Sequence, residues 1–143
     1  MRIWHKDLIP YLPKNQLLAQ WRECCCIARN IAVNGTPNHI LVNSVLDYPM
    51  EHFWNYARVV TEEMKRRNYK FDVKKFTKWH YQYADPLPDL IVLEMVFSGW
   101  HNDRYLRQCY YNLEEKHDRG GISDEEWKII EEQFKEKIKN TEE

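Results

Sequence analysis

Glycine is scarce in this sequence, with four residues among 143, and no apolar run approaches the roughly 18 residues that a membrane-crossing helix requires. Repeats and low-complexity tracts are also lacking. The opening residues, MRIWHKDLIP, carry charges where a signal peptide needs an apolar stretch. We therefore expect an intracellular, cytoplasmic protein without a membrane partner.

Cysteine and histidine are present, but their spacing does not suit a metal site. Cys24, Cys25 and Cys26 are consecutive, so on one helix their side chains point about 100° apart and cannot converge on one ion. We predict that these three and Cys109 are reduced structural residues, because free cysteine is often buried. No two of the six histidines have HxxxH or HxH spacing, so a histidine metal site is the weaker alternative. We expect no metal and no cofactor.

The apolar content is high enough for a continuous core. With 43% hydrophobic and 14% aromatic residues, the chain is expected to form a single domain over residues 1–143. Apolar residues recur at three- and four-residue steps, which predicts an all-α fold with helices over residues 15–30, 49–67 and 102–117 and from 123 onwards. The predicted core residues are Leu17, Leu18, Trp21, Cys24, Cys25 and Ala28; Met50, Phe53, Trp54, Ala57, Val60 and Met64; Tyr105, Leu106, Cys109, Tyr110 and Leu113; and Trp127, Ile130, Phe134 and Ile138.

Three stretches are less regular. Pro10 and Pro13 predict a lead-in outside the helices, because proline is excluded from a helix interior. Residues 68–88 predict an irregular connection with one short helix. Residues 90–97 fit either a buried helix or a strand, and we favour the helix.

Charge is divided unequally along the chain. Residues 1–119 carry 17 basic and 14 acidic residues, a net charge of +3, whereas residues 120–143 carry 4 and 8, a net charge of −4. The sequence therefore predicts a mildly basic body over 1–119, with room for a local phosphate-binding face, and an acidic C-terminal helix over 120–143.

The exposed face of the first predicted helix combines an acid, an amide and two basic groups. At about 100° per residue, Gln16 and Glu23 lie about 20° apart, and Arg22 and Arg29 share the adjoining flank. Periodicity alone favours an ordinary amphipathic helix with a charged solvent face over a functional site.

A family resemblance changes that balance. The stretch QLLAQWRE over residues 16–23 resembles the first-helix motif of the pyrimidine-dimer DNA glycosylases, in which a polar residue, two apolar residues, a small residue and an aromatic-Arg-Glu triplet occur in this order. Met1, Arg2 and Ile3 lie at nearly the family's distance upstream. Residues 62–71 and 112–116 agree more loosely, so the resemblance extends from residue 1 to about 119.

The resemblance implies a compact all-α DNA glycosylase with AP lyase activity. In that family the terminal α-amine attacks C1′ of a damaged nucleotide, forms an imine and nicks the strand by β-elimination. The implied catalytic residues here are Met1, through its amine, and Glu23, which stabilises positive charge and moves protons. α-Amines as a class hold a larger neutral fraction at neutral pH than lysine side chains do.

The implied partner is double-stranded DNA containing a damaged or modified pyrimidine, which places the protein with the nucleoid. Planar guanidinium groups bind phosphate in a bidentate geometry, which favours Arg2 and Arg22 as phosphate-binding residues. For Lys116 and Arg119, solvated surface charge is the competing interpretation. An extrahelical nucleotide is implied, and Trp4, Tyr11 and Trp21 could either line its pocket or belong to the core. The predicted DNA-binding residues are Arg2, Gln16, Arg22, Arg29, Lys116 and Arg119.

The sequence departs from the family pattern at four places. Arg2 is bulky enough to block removal of Met1, so the nucleophile would be the amine of Met1 itself. Gln16 stands where histidine occurs in the phage repair enzyme, and Cys26 stands where an arginine is expected, with Arg29 one turn away as a substitute. The acidic C-terminal helix replaces a basic aromatic tail. We expect this helix to pack away from the DNA or to mediate self-association. A non-catalytic DNA-binding module on the same fold is the alternative function.

Overall fold

The computed structural model describes residues 1–80 and 90–142, and these residues form helices joined by turns with no strand. The α-helices are α1 (Lys14–Asn34), α2 (Met50–Arg66), α3 (Lys74–His80), α4 (Asp103–Asp118) and α5 (Asp124–Thr141). Three 3-10 helices span Lys6–Tyr11, Asn43–Asp47 and Leu93–Met95. The predicted all-α fold is confirmed. None of the described helices is both long and apolar enough to cross a membrane.

Helix α1 begins directly after Pro13 and is one turn longer than predicted at its C-terminal end. Four residues of the predicted stripe are buried, Leu18 and Cys25 are partly buried, and the buried side continues to Ile31 in the longer helix. Gly35 ends it with a left-handed backbone (φ 77°), a conformation that glycine adopts without steric cost.

The stripes predicted for α2, α4 and α5 are buried almost completely, with only Met50 partly exposed. Helix α4 starts at the predicted cap, where the Asn102 side chain accepts a hydrogen bond from the Tyr105 backbone N–H. Helix α5 starts with the predicted capping box of Ser123 and Glu126. Side chains between residues 3 and 138 join one hydrophobic cluster, which packs α5 against α4 and the 3-10 helix Lys6–Tyr11.

The prediction for the lead-in was wrong in one respect. Pro10 lies inside the 3-10 helix Lys6–Tyr11. A short 3-10 segment tolerates proline because its few i→i+3 hydrogen bonds can be made by other residues, as Leu8 and Leu12 do here with the carbonyls of His5 and Ile9.

The helix favoured for residues 90–97 was also wrong. Only Leu93–Met95 form a 3-10 turn, and Leu90, Val92 and Met95 are exposed rather than buried. The carbonyls of Glu94 and Val96 accept hydrogen bonds from the buried Lys6 ammonium at 3.0 and 2.6 Å instead of from a helical backbone.

The remaining structural predictions concern residues 68–88 and the cysteines. Helix α3 is the short helix predicted within residues 68–88, of which residues 81–88 lie outside the described part. All four cysteines are free thiols, with Cys24 and Cys109 fully buried, as predicted.

Candidate active site

The chain start is held by a glutamine of helix α1. The fully buried Gln20 accepts a hydrogen bond from the Trp4 backbone N–H at 2.8 Å and donates one to the Arg2 carbonyl at 3.0 Å. One amide side chain therefore satisfies two backbone groups of an extended segment that lacks a strand partner.

Two tyrosines and a histidine complete this network. The Tyr56 hydroxyl lies 2.5 Å from the Trp4 carbonyl and 3.0 Å from Gln20 Oε1, and the Tyr105 hydroxyl donates to the Ile3 carbonyl. Burial raises the pKa of both tyrosines above the ordinary value, so both remain protonated donors. The Lys6 backbone N–H donates to His101 Nδ1 at 2.9 Å.

His101 is suited to that acceptor role. Burial, followed by the neighbouring His5 and Lys6, lowers the pKa of His101 to about 2, which keeps the ring neutral. The hydrogen bond from the Lys6 N–H to His101 acts together with those made by Gln20, Tyr56 and Tyr105. These bonds fix the backbone from residue 2 to residue 6, so the chain start has a defined position.

The Glu23 carboxylate lies against this fixed segment. Its Oε2 atom accepts a hydrogen bond from the Arg2 backbone N–H at 3.3 Å and lies 3.4 Å from Gln20 Nε2. The α-amino nitrogen of Met1 is three covalent bonds from the Arg2 nitrogen and therefore lies within about 7 Å of the carboxylate. Met1 is 36% exposed and Glu23 is half-buried, so both residues are partly accessible to solvent.

Gln20, rather than Gln16, is the amide that contacts Glu23. Gln16 shares a face with Glu23 but lies seven residues away, which is about 10.5 Å along the helix axis. Gln20 is three residues away, and residues at this separation touch on a helix. The sequence signal that could have identified Gln20 was a polar residue on the core-facing side of α1, one turn before Glu23.

The predicted DNA-binding residues fall into three groups. Arg22 and Arg29 are exposed on α1. The Arg2 side chain is half-buried, with its guanidinium 5.6 Å from the Trp4 ring centre and close to Tyr105. Its phosphate-binding role therefore stays a prediction.

The third group brings α1 and α4 together. Gln16, Lys116 and Arg119 line one open cleft of about 310 Å³, which also contains Asn112 and Glu115. The Gln16 Oε1 atom is buried without a hydrogen-bond partner among the described residues. Sequence positions about 100 residues apart thus form one polar surface, although its role in DNA binding stays a prediction.

The aromatic residues considered for a nucleotide pocket are mainly core residues. Trp4 and Trp21 are each 6% exposed, and Tyr11 packs edge-on against Phe134 of helix α5. The apolar side of α5 is buried within the chain, and the position of this helix relative to DNA stays a prediction.

The first turn of α5 lies near the cleft rather than far from it. The Glu126 carboxylate accepts a hydrogen bond from the Lys14 backbone N–H at 3.2 Å, and His117 Nε2 lies 2.7 Å from the Asp124 carboxylate.

Across residues 1–80 and 90–142, no three His, Cys, Asp or Glu side chains are grouped as metal ligands.

Comparison with known proteins gives one match. A family model described as pyrimidine dimer DNA glycosylase matches residues 1–77, and no curated protein and no solved structure matches the chain. The matched residues include Arg2, Gln20, Glu23 and Tyr56, and thus most of the network described above.

Proposed function

The chain belongs to the pyrimidine dimer DNA glycosylase family, and from this we propose that it is a DNA glycosylase with associated AP lyase activity. Its substrate is double-stranded DNA containing a damaged or modified pyrimidine. The nucleophile is the α-amino group of Met1, and Glu23 is the residue that moves protons and stabilises positive charge.

The reaction follows from the chemistry of an amine and a carboxylate at one sugar. The neutral amine forms a bond to C1′ while the bond to the base breaks, and the base leaves with the electron pair and takes up a proton. Opening of the sugar ring gives an iminium ion, whose positive charge the Glu23 carboxylate stabilises. Loss of a C2′ proton expels the 3′ phosphate, and water then hydrolyses the imine and restores the amine.

One observation carries this proposal. The Arg2 backbone N–H is 3.3 Å from the Glu23 carboxylate, and residues 2–6 are fixed by buried hydrogen bonds. An amine held beside a carboxylate before substrate arrives needs little ordering when it reacts.

DNA would be held around this site by the exposed guanidiniums of Arg22 and Arg29 and by the polar cleft of Gln16, Lys116 and Arg119. The groups on α1 lie within the residues that the family model covers, whereas Lys116 and Arg119 lie outside them. Access to C1′ requires that a nucleotide leave the stack, because C1′ is shielded inside a paired duplex.

The test compares Glu23→Gln with Glu132→Gln, an exposed control on α5. On duplexes carrying a cyclobutane dimer, another pyrimidine lesion or an abasic site, we expect Glu23→Gln to lower single-turnover strand cleavage about 100-fold or more. Glu132→Gln should match the wild type. The enzyme proposal would be contradicted if the protein bound DNA in a salt-sensitive manner but gave neither strand cleavage nor a borohydride-trapped adduct. That result would favour the non-catalytic DNA-binding module.

A further inference from the structure

The segment after helix α2 has the highest density of positive charge in the chain. Residues 65–78 contain seven lysines and arginines and one aspartate, a net charge of +6. The segment runs from the end of α2 into α3, which packs against α1. Its charge is therefore placed beside the helix that carries Glu23.

A cleft of about 400 Å³ lies between α1 and this segment. Trp21 and Phe71 form part of its wall, with their rings edge to face and 5.5 Å apart. Arg22, Lys70 and Lys75 contribute the basic groups of its lining. Arg22 directly precedes Glu23 on α1, so one residue of the cleft lining is the chain neighbour of the candidate catalytic glutamate.

The basic groups of this segment differ in whether their charge is compensated. Arg66 and Arg67 both bind the Glu63 carboxylate. Lys70 and Lys75 are exposed, and neither forms an ion pair with a residue in the described ranges 1–80 and 90–142.

Among the described residues that line the cleft, Arg22, Lys70 and Lys75 are basic and Asp72 is acidic, so the basic groups outnumber the acidic one. The Asp72 carboxylate, which lines the same cleft, accepts a hydrogen bond from the Lys74 backbone N–H at 3.0 Å at the start of α3. Burial raises the pKa of the Cys25 thiol to about 11, so this group stays uncharged. The cleft therefore has an excess of positive charge in the free protein, and an anion would relieve the repulsion between its ammonium groups.

We propose that Lys70 and Lys75, together with Arg22, form a phosphate-binding surface for the DNA backbone next to the lesion. This inference rests on the proposed function, because that function makes duplex DNA the partner. It adds a third contact region, on the α1–α3 side of Glu23, to Arg29 on α1 and to the cleft near Lys116. The lysines act as point charges on phosphates and read no base sequence.

The salt dependence of DNA affinity tests this surface. Each phosphate contact contributes about 0.9 to the slope of log K against log salt, so Lys70→Gln combined with Lys75→Gln should make the slope shallower by about 1.8. The probe is a duplex with one tetrahydrofuran abasic-site analogue, which cannot be cleaved by an amine.

The matched control is Lys135→Gln combined with Lys139→Gln, which removes the same charge from exposed positions on α5. We expect the control slope to equal that of wild type. If both double variants changed the slope equally, the effect would be one of net charge and the proposed surface would be wrong. An unchanged slope in Lys70→Gln with Lys75→Gln, or no binding of the duplex by the wild type, would also overturn it.

Failure of this surface is distinguishable from failure of the proposed function. A borohydride-trapped adduct with an unchanged slope would retain the enzyme and remove the surface. A shallower slope without any adduct would retain the surface on a DNA-binding protein that lacks the chemistry.

Discussion

Residues 2–6 and helix α5 both pack into the core, but different kinds of contact hold them there. The backbone of residues 2–6 is held by directional hydrogen bonds from Gln20, Tyr56, Tyr105 and His101. Helix α5 is held by a stripe of four apolar side chains, and the polar contacts of its first turn, Glu126 with the Lys14 N–H and Asp124 with His117, are exposed.

The difference separates stability from positioning. Apolar burial depends on area and tolerates small shifts, whereas a buried polar group must meet its partner at a fixed distance and angle or lose several kcal/mol. The directional contacts hold the chain start, where the proposed mechanism requires an amine close to a carboxylate. Removal of contacts in the two regions should therefore have different consequences.

The largest expected loss of stability comes from Phe134→Ala on α5. Phe134 is 6% exposed and packs edge-on with Tyr11, so its removal leaves a cavity and should lower the free energy of unfolding by about 3–4 kcal/mol in urea titrations. Cleavage at a temperature where the variant is folded should stay near wild type. Ile129→Ala on the same helix, where Ile129 is 52% exposed, should cost less than about 0.5 kcal/mol. A large loss of cleavage rate in folded Phe134→Ala would contradict the separation.

Gln20→Leu tests the other region. Leucine keeps most of the volume but leaves the Trp4 N–H and the Arg2 carbonyl without their partner, so stability should fall by about 2 kcal/mol. Displacement of the terminal amine should slow single-turnover cleavage about 100-fold. Gln108→Leu, at an exposed site on α4, is the control. If Gln20→Leu lowered stability but cleaved at the wild-type rate, the network would have no positioning role.

A smaller and pH-dependent effect is expected from Glu63→Gln. The Arg67 guanidinium binds Glu63 and donates to the carbonyls of Leu12 and Pro10 at 2.7 and 3.0 Å. These bonds connect the end of the lead-in to the end of helix α2. Burial raises the pKa of Glu63, but the hydrogen bonds and charges of Arg66 and Arg67 outweigh it, and the net shift is downward.

A lowered folded pKa means that the stabilisation is complete above the ordinary glutamate value and disappears as pH falls through the folded value. We expect Glu63→Gln to cost about 1 kcal/mol at pH 7 and progressively less as the pH falls below the ordinary glutamate value, measured by urea unfolding. The control is Glu62→Gln, whose carboxylate is exposed and pairs with Arg58, and it should cost less than about 0.5 kcal/mol. A difference that does not change with pH would rule out this ion pair as the cause.

The sequence was sufficient for the parts of the fold that depend on repetition. The stripes of α2, α4 and α5, the cap at Asn102 and the capping box at Ser123 follow from local spacing, and the structure contains each of them. Residues 90–97 were misjudged because their conformation depends on a distant partner, the ammonium of Lys6, which no local pattern reveals.

The candidate site divides in the same way. The position of Glu23 on the first helix and its relation to the chain start came from a motif. Gln20, Tyr56 and Tyr105 were missed because each lies on a core-facing side, where its apolar part fits the helical pattern and its polar atom gives no sign of its partner. The sequence can indicate that a buried polar group needs a partner, but only the fold identifies it.

The most direct test of the account is the identity of the residue that borohydride links to an abasic-site duplex. Peptide mapping of the reduced adduct by mass spectrometry should place the DNA on the α-nitrogen of Met1. Lys6 is the nearest lysine in sequence, but its ammonium is buried and bound to the carbonyls of Glu94 and Val96. An adduct on Lys6 or any other lysine, or full cleavage activity in protein with an acetylated terminus, would contradict the account.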